Sequence, residues 1–91
     1  MKELPVNVVL YKKTARFTDE NVPPALLSTH YTKKSSWAKI VVLSGSIRYL
    51  IEGENKEIIE LSPLKYGVIE PQIAHHLELS GGVEFYIEFY K

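Results

Sequence analysis

The chain has 91 residues, with 11 basic and 11 acidic side chains, a formal net charge of zero and no cysteine. This length suits one small domain with a single core. The absence of cysteine excludes disulfides and thiolate metal sites within the chain, and the balanced charge offers no strong positive field for a nucleic-acid backbone.

The first predicted element is a strand over residues 6–11, VNVVLY, which is rich in β-branched residues. Residues 18–30 contain the only helix signal, because Thr18 followed by two acidic residues resembles a helix N-cap. Pro23 and Pro24 interrupt this segment, so we expect at most a single helical turn there.

A second strand is predicted over 37–43, WAKIVVL, followed by a turn at Ser-Gly and a third strand over 46–53. Strand alternation places Ile47, Tyr49 and Ile51 on one face of the third strand and Arg48 and Leu50 on the other. A turn is expected at 53–56.

The remaining sequence predicts four further strands, so that about seven or eight short strands recur at roughly 8–12-residue spacing. These strands are 57–61, 68–71, 74–79 and 83–91. The pattern is typical of an all-β sandwich or barrel, and we expect a single domain over 1–91.

The last predicted strand carries large side chains on both faces. Phe85, Ile87 and Phe89 share one face, and the other face carries Tyr86, Glu88 and Tyr90. Either face could therefore contact the core, a partner subunit or an internal pocket. A carboxylate between two tyrosines in a pocket would need a partner, and a rim position in water is the simpler alternative.

The amino-terminal residues MKELPVNVVLYKK lack the apolar region and small-residue cleavage site of a signal peptide. No apolar run approaches the roughly 18 residues of a membrane span. We therefore expect a soluble cytoplasmic protein with neither a nucleic-acid nor a membrane partner. The lysines of 11–13 and 32–36 are expected to be solvated.

Two stretches resemble the cupin motifs: VLSGSIRY at 42–49 resembles the first, and VIEPQIAHH at 68–76 the second. Together with 4–33 and FYIEFY at 85–90, they resemble small cupin-like domains related to the amino-terminal domain of TehB-type tellurite-resistance proteins. The resemblance implies a jelly-roll β-sandwich, a pocket between the sheets and a homodimer. It implies no settled activity. The sequence has no glycine-rich nucleotide loop, so we do not transfer methyltransferase chemistry to it.

The resemblance also implies a partial ligand set. His30 matches a histidine of the first motif and His75 that of the second, whereas Thr32 stands where another histidine is usual. Gln72 and Glu88 are candidate third donors, and a site of two imidazoles and a carboxylate would suit zinc, iron, nickel or copper. The alternative is a degenerate cupin whose histidines bind only protein groups.

Further candidate pocket residues follow from the same resemblance. Trp37, Tyr49 and Tyr86 would form apolar walls, with ordinary core packing as the alternative. Arg48 would bind an anion in the cavity, or else point outward as a strand cation. Strand alternation places His76 on the face opposite His75.

Three functions remain open from the sequence. The first is a binding module for a divalent metal or a small polar ligand, linked to tellurite or other oxyanion stress. The second is a metal-dependent enzyme of the oxygenase or isomerase type that uses His30, His75 and Glu88. The third is a structural or regulatory dimer formed through the aromatic last strand.

Overall fold

The computed structural model describes residues 1–53 and 56–91, and its regular structure in these residues consists of eight β-strands and one short 3₁₀ helix. The helix is Pro24–Leu27, between the second and third strands. The strands are β1 (Leu10–Lys13), β2 (Phe17–Thr18), β3 (Trp37–Ser44), β4 (Ile47–Ile51), β5 (Glu57–Leu61), β6 (Gly67–Ile69), β7 (His75–Leu79) and β8 (Glu84–Tyr90).

The strands form two antiparallel sheets that enclose the core. The larger sheet has the order β1-β8-β3-β6, with β2 also paired to β8. The smaller sheet has the order β5-β4-β7. Since the described strands stay in two separate sheets, the fold is a β-sandwich, and the closed barrel that the sequence also allowed is not formed.

Side chains alternate between the core and the outer surface along the long strands. In β3, Ala38 and Ile40 are fully buried, and in β4 Ile47 and Tyr49 are buried while Arg48 is exposed. Both strands therefore follow the predicted alternation, and their inner faces belong to one hydrophobic cluster. Each fully buried aliphatic side chain contributes roughly 1.5–3 kcal/mol relative to an exposed one.

The two faces of strand β8 have different environments in the structure. Phe85 and Ile87 belong to the hydrophobic core, with Phe89 packed against it. Tyr86 and Glu88 alternate with them and are half-buried on the outer face of the larger sheet. The aromatic side chains therefore contribute to the interior from one face only.

The first strand differs from expectation, whereas the helical segment agrees with it. The strand predicted at 6–11 is displaced to Leu10–Lys13, all four residues of which are exposed. Val6 and Val9 are exposed as well. Their β-branched side chains have a high strand propensity, but they are not buried against the core. The single helical turn expected within 18–30 is confirmed by Pro24–Leu27. The turn expected at 53–56 lies partly outside the described residues.

The turn between β3 and β4 requires glycine. Gly45 has φ of 75°, and a Cβ there would lie 2.9 Å from the Cα of Val83. Only glycine meets both the left-handed conformation and this close approach. In the described part of the chain, no helix is long and apolar enough to cross a bilayer.

Candidate functional site

A cavity of about 310 Å³ lies between strands of both sheets and the segment that connects β2 to β3. Its apolar wall comes mainly from Leu26 of the 3₁₀ helix, Ile69 of β6 and Ile87 and Phe89 of β8. The remaining lining residues are Tyr11, Lys12, His30, Tyr31, Thr32, Lys33, Ser36 and His75.

The two lining histidines are held together by backbone pairing. His30 and His75 form an isolated antiparallel bridge in which each N–H donates to the other residue's carbonyl, at 2.9 and 3.0 Å. Directly opposed residues in an antiparallel pair project their side chains to the same side. The imidazole rings are accordingly adjacent, with centroids 4.2 Å apart and planes inclined by 61°.

Hydrogen bonds define which ring nitrogen carries the proton. The Nδ1–H of His30 donates to the carbonyl of Ser28, and that of His75 donates to the carbonyl of Ile73, both at 2.9 Å. A carbonyl oxygen can only accept, so this assignment of the neutral tautomer places the proton on Nδ1. With the proton on Nδ1, the Nε2 atom of a neutral ring is an acceptor with a free lone pair.

His75 is the buried member of the pair, at 1% exposure. Burial lowers its pKa to about 4, an effect opposed by the bond to the Ile73 carbonyl and reinforced by His30 and His76. The ring is therefore neutral at pH 7. Within the described residues, its Nε2 is buried without a hydrogen-bond partner. A buried acceptor left unpaired costs about 1–3 kcal/mol.

Hydroxyl groups and lysines supply the rest of the polar lining. The Thr32 hydroxyl donates to the carbonyl of Glu70 at 3.0 Å. The hydroxyls of Tyr11 and Ser36 share a 2.6 Å hydrogen bond, and Ser36 is buried. The lining set contains two lysines and, among the described residues, no carboxylate.

Comparison with known proteins places this sandwich in a family. The TehB-like domain family matches residues 12–87. The chain belongs to the TehB-like domain family. This confirms the relationship to TehB-type proteins that the sequence blocks indicated.

The TehB-like domain is similar to part of a longer protein. It is 31% identical over 88 residues to "Probable S-adenosyl-L-methionine-dependent methyltransferase TehB" of Haemophilus influenzae strain Rd, and 30% identical to the protein of that name from strain 10810. These matches cover 91% of this chain, which spans only 31% of the length of each relative.

Solved structures show the same fold. The crystal structure of Haemophilus influenzae TehB matches with a TM-score of 0.80 and 30% identity, over 91% of this chain and 31% of that one. A crystal structure of an Escherichia coli K12 protein matches with a TM-score of 0.88, over 100% of this chain and 97% of that one. The latter is 20% identical, so it supports the fold alone.

Three of the residues predicted for the site line the cavity of this TehB-like domain: His30, His75 and Thr32. Gln72 does not line it. Gln72 is exposed in a left-handed turn with φ of 60°, and its backbone N–H donates to the Thr32 carbonyl at 3.2 Å. Its contribution is thus to fasten the turn before β7 to the segment that carries Thr32.

The prediction that Glu88 forms a site with His30 and His75 is wrong. Glu88 alternates with the buried Ile87, which places it on the outer face of the larger sheet. There its Oε1 accepts a hydrogen bond from the Tyr90 hydroxyl at 3.0 Å. The sequence could not distinguish the two faces, because both carry large rings.

Trp37 and Tyr86 share this outer face, so neither forms a wall of the cavity. Trp37 alternates with the buried Ala38 in β3, and Tyr86 alternates with Phe85 in β8. The ammonium of Lys13 lies 4.3 Å from the centroid of the Tyr86 ring. Tyr86 therefore interacts with a surface cation.

Two further predicted pocket residues are neighbours in β4 with opposite orientations. Arg48 is on the outer face of the smaller sheet, where it pairs with Glu78 at 3.1 Å, so it is not a cavity cation. Tyr49 is buried, and its hydroxyl donates to the Val68 carbonyl of the facing sheet at 3.0 Å. The Tyr49 ring packs edge-on against His75, with centroids 5.9 Å apart. Tyr49 thus supports the site from behind.

His76 lies on the face opposite His75, as strand alternation predicted, and is half-buried. Its Nδ1 is 3.7 Å from a carboxylate oxygen of Glu52. His75 and His76 consequently have separate environments although they are adjacent in sequence, and His76 makes no contribution to the cavity lining.

The donor set does not fit a resident metal ion. Across residues 1–53 and 56–91, no group of three or more histidine, cysteine, aspartate or glutamate side chains is arranged to hold one. His30 and His75 offer two imidazole nitrogens, whereas a tight protein site usually has three or four protein donors. The cavity lysines are also unfavourable to a cation.

Sequence reasoning missed Tyr11, Lys12, Lys33 and Ser36 as lining residues. The lysines fell in short basic stretches that are ordinarily solvated. Ser36 is buried and its hydroxyl is hydrogen-bonded to that of Tyr11, a contact for which the sequence carries no periodic signal.

Proposed function

We propose that this TehB-like domain is a binding module for a small polar ligand and that the ligand occupies the cavity beside His30 and His75. The observation that carries the proposal is the buried Nε2 of His75. His75 lines the cavity, and this nitrogen is a fixed acceptor that has no hydrogen-bond partner among the described residues. An O–H or N–H group of a ligand would supply the missing donor.

The geometry supports binding more directly than catalysis. The ring of His75 is held by its own Nδ1 bond, by Tyr49 and by the bridge to His30. Rigid acceptors of this kind give specificity, because a ligand lacking the donor leaves them unpaired. The metal-dependent enzyme considered from the sequence used Glu88 as the carboxylate beside the histidine pair, and Glu88 is on the other face of its sheet.

The relatives suggest a setting for this activity. The Haemophilus influenzae proteins are named as methyltransferases, and this chain corresponds to less than a third of their length. We propose that the module senses or delivers a small molecule in the cytoplasm during oxyanion stress, alongside methyltransferase activity supplied by another polypeptide region or protein. Tellurite therefore belongs in the set of compounds to be tested, together with neutral organic fragments.

The experiment is a protein-observed NMR screen of neutral, hydroxyl-bearing fragments and tellurite against the wild type, His75→Asn and His76→Asn. Asparagine at 75 can still donate to the Ile73 carbonyl but has no counterpart of Nε2. His76→Asn is the matched control, because it changes the adjacent histidine on the opposite face.

We expect fragment-induced shifts to concentrate on residues 28–33, 75 and 87–89. Affinity should fall about tenfold in His75→Asn, corresponding to about 1.4 kcal/mol, and stay unchanged in His76→Asn. Shifts that map to another surface, or equal binding by all three proteins, would refute the proposal.

A further inference from the structure

We infer, on the basis of the function proposed above, that the ligand is a small organic anion with three parts. These are an anionic group held by Lys12 and Lys33, an apolar body against the hydrocarbon wall, and an O–H or N–H group that donates to His75. Each part follows from a different section of the cavity lining.

The charge of the lining indicates the anionic group. Lys12 and Lys33 both line the cavity, and neither takes part in an ion pair among the described residues. Lys12 has its ammonium 5.7 Å from the centroid of the Phe89 ring, a weak interaction that leaves its charge available. The two charges, uncompensated by a lining carboxylate, favour an anion in the space between.

A third cation reinforces this field. The ammonium of Lys91 lies 4.4 Å from the ring centroid of Tyr11, which is itself a lining residue. Two carboxylates that adjoin lining residues in the sequence, Glu70 and Glu88, are engaged elsewhere. Glu70 pairs with Lys2 at 3.4 Å, and Glu88 accepts the Tyr90 hydroxyl on the outer face. Among the described residues, the cavity lining therefore carries two lysines and no carboxylate, although the whole chain has a formal net charge of zero.

The apolar wall indicates an organic body. Ile69 and Ile87 are each 3% exposed, and with Leu26 and Phe89 they form a continuous hydrocarbon section of the lining. A bare inorganic oxyanion against this section would lose hydration without gaining donors. A ligand with an apolar middle would cover the section and gain roughly 25 cal/mol for each Å² of apolar surface removed from water.

His75 fixes the orientation of such a ligand. Its Nε2 lone pair would repel an anionic oxygen and accept a proton donor, so the negative group should lie away from it, towards the lysines. The ligand therefore has its donor at one end and its charge at the other. Simple hydroxy- or amino-substituted carboxylates satisfy this description.

The test compares three probes of one shape and different charge: 4-hydroxybenzoate, 4-hydroxybenzamide and 4-hydroxybenzamidine. Dissociation constants are measured by protein NMR at low ionic strength, where exposed charges are least screened. We expect the anion to bind about tenfold tighter than the amide, and the cation most weakly, because the two lysines attract a negative group and repel a positive one at a partly exposed site.

Substitutions assign the charge preference to the cavity. Lys12→Gln combined with Lys33→Gln should remove the difference between the anion and the amide. Lys34→Gln is the matched control, because Lys34 is the neighbouring lysine and does not line the cavity. It should leave the preference intact, and raising the salt concentration should reduce the preference in the wild type.

The outcomes separate this inference from the proposed function. Equal affinity for the three probes, with the expected tenfold loss in His75→Asn, would overturn the anionic assignment and leave the binding function standing. If benzoate bound as tightly as 4-hydroxybenzoate, the inferred donor to His75 would be refuted. If phosphate bound as tightly as 4-hydroxybenzoate, the inferred apolar body would be refuted. Binding of no probe at the cavity would overturn the inference entirely, while the neutral fragment screen would decide the function.

Discussion

His30 and His75 are 45 positions apart in the sequence, yet they face each other across a two-bond backbone bridge with ring centroids 4.2 Å apart. The bridge fastens the segment between β2 and β3 to the edge strand β7 of the smaller sheet. The two rings are therefore adjacent parts of the cavity lining, and under the proposed function a ligand group at one ring would also meet the other.

The burial of His75 predicts a pH-dependent stability. Its pKa is about 4 in the folded chain and 6.5 in the unfolded chain, so only the unfolded state binds this proton between those values. Stability from this group should be complete above pH 6.5 and be lost as the pH falls towards 4. The loss should reach about 3 kcal/mol, at 1.36 kcal/mol for each pKa unit.

Urea denaturation of the wild type and His75→Asn across pH 4 to 7 measures this loss. The other titrating groups are common to both proteins, so the difference between the two curves isolates His75. The variant should show a correspondingly shallower decline below pH 6.5. Parallel curves would show that His75 titrates alike in the folded and unfolded states.

Glu88→Gln should leave ligand binding unchanged within about twofold, and stability unchanged within about 0.5 kcal/mol. Glu88 lies on the outer face, and a glutamine there could still accept the Tyr90 hydroxyl. The measurement is the affinity of Glu88→Gln for the fragment whose binding is weakened by His75→Asn. A tenfold loss of affinity in Glu88→Gln would show that the Glu88 carboxylate takes part in the site.

Gly67→Ala should destabilise the sandwich by roughly 1–3 kcal/mol through overpacking. A Cβ at this position would lie 2.6 Å from Cδ1 of the buried Leu61 and 3.4 Å from Cδ1 of Ile40. Gly81→Ala is the control, since no described heavy atom lies within 4 Å of the added carbon. Chemical denaturation of both variants checks the contrast, and equal midpoints would contradict it.

Tyr49→Phe should cost about 1 kcal/mol, because it removes the hydroxyl that joins the two sheets through the Val68 carbonyl. Burial raises the pKa of Tyr49, so the hydroxyl remains a donor throughout the neutral range. Tyr66→Phe, at a half-exposed ring, should be nearly neutral. The free energies of unfolding of the two variants are the measurement, and a neutral Tyr49→Phe would show that the bond is replaced by another donor.

The hydrophobic pattern of the sequence was sufficient to predict strands in which one face is plainly apolar. The strand predicted at 57–61 has those bounds in the structure, and the alternation of Ile47 and Tyr49 with Arg48 is as expected. Burial on one face constrains the register of such strands, because a slip of one residue would expose the whole apolar set.

The remaining errors have physical causes that a local pattern does not contain. Strand β1 is exposed at every residue, so burial could not mark its limits. Gln72 was a reasonable ligand by position, but its left-handed turn directs the backbone N–H to Thr32. Tyr11 and Ser36 reach the cavity through a contact 25 residues apart, which depends on the packing of the whole sandwich.

Strand β8 pairs with β1, β2 and β3, so the larger sheet is organised around its last strand in chain order. Until residues 84–90 have left the ribosome, β1 and β2 lack their described pairing strand, and β3 retains only β6. The larger sheet can therefore be completed only once β8 is available for pairing. Because β1 and β8 pair across more than 70 residues, closure of this sheet should be slow, and the unpaired apolar strands would be open to chaperones until it occurs.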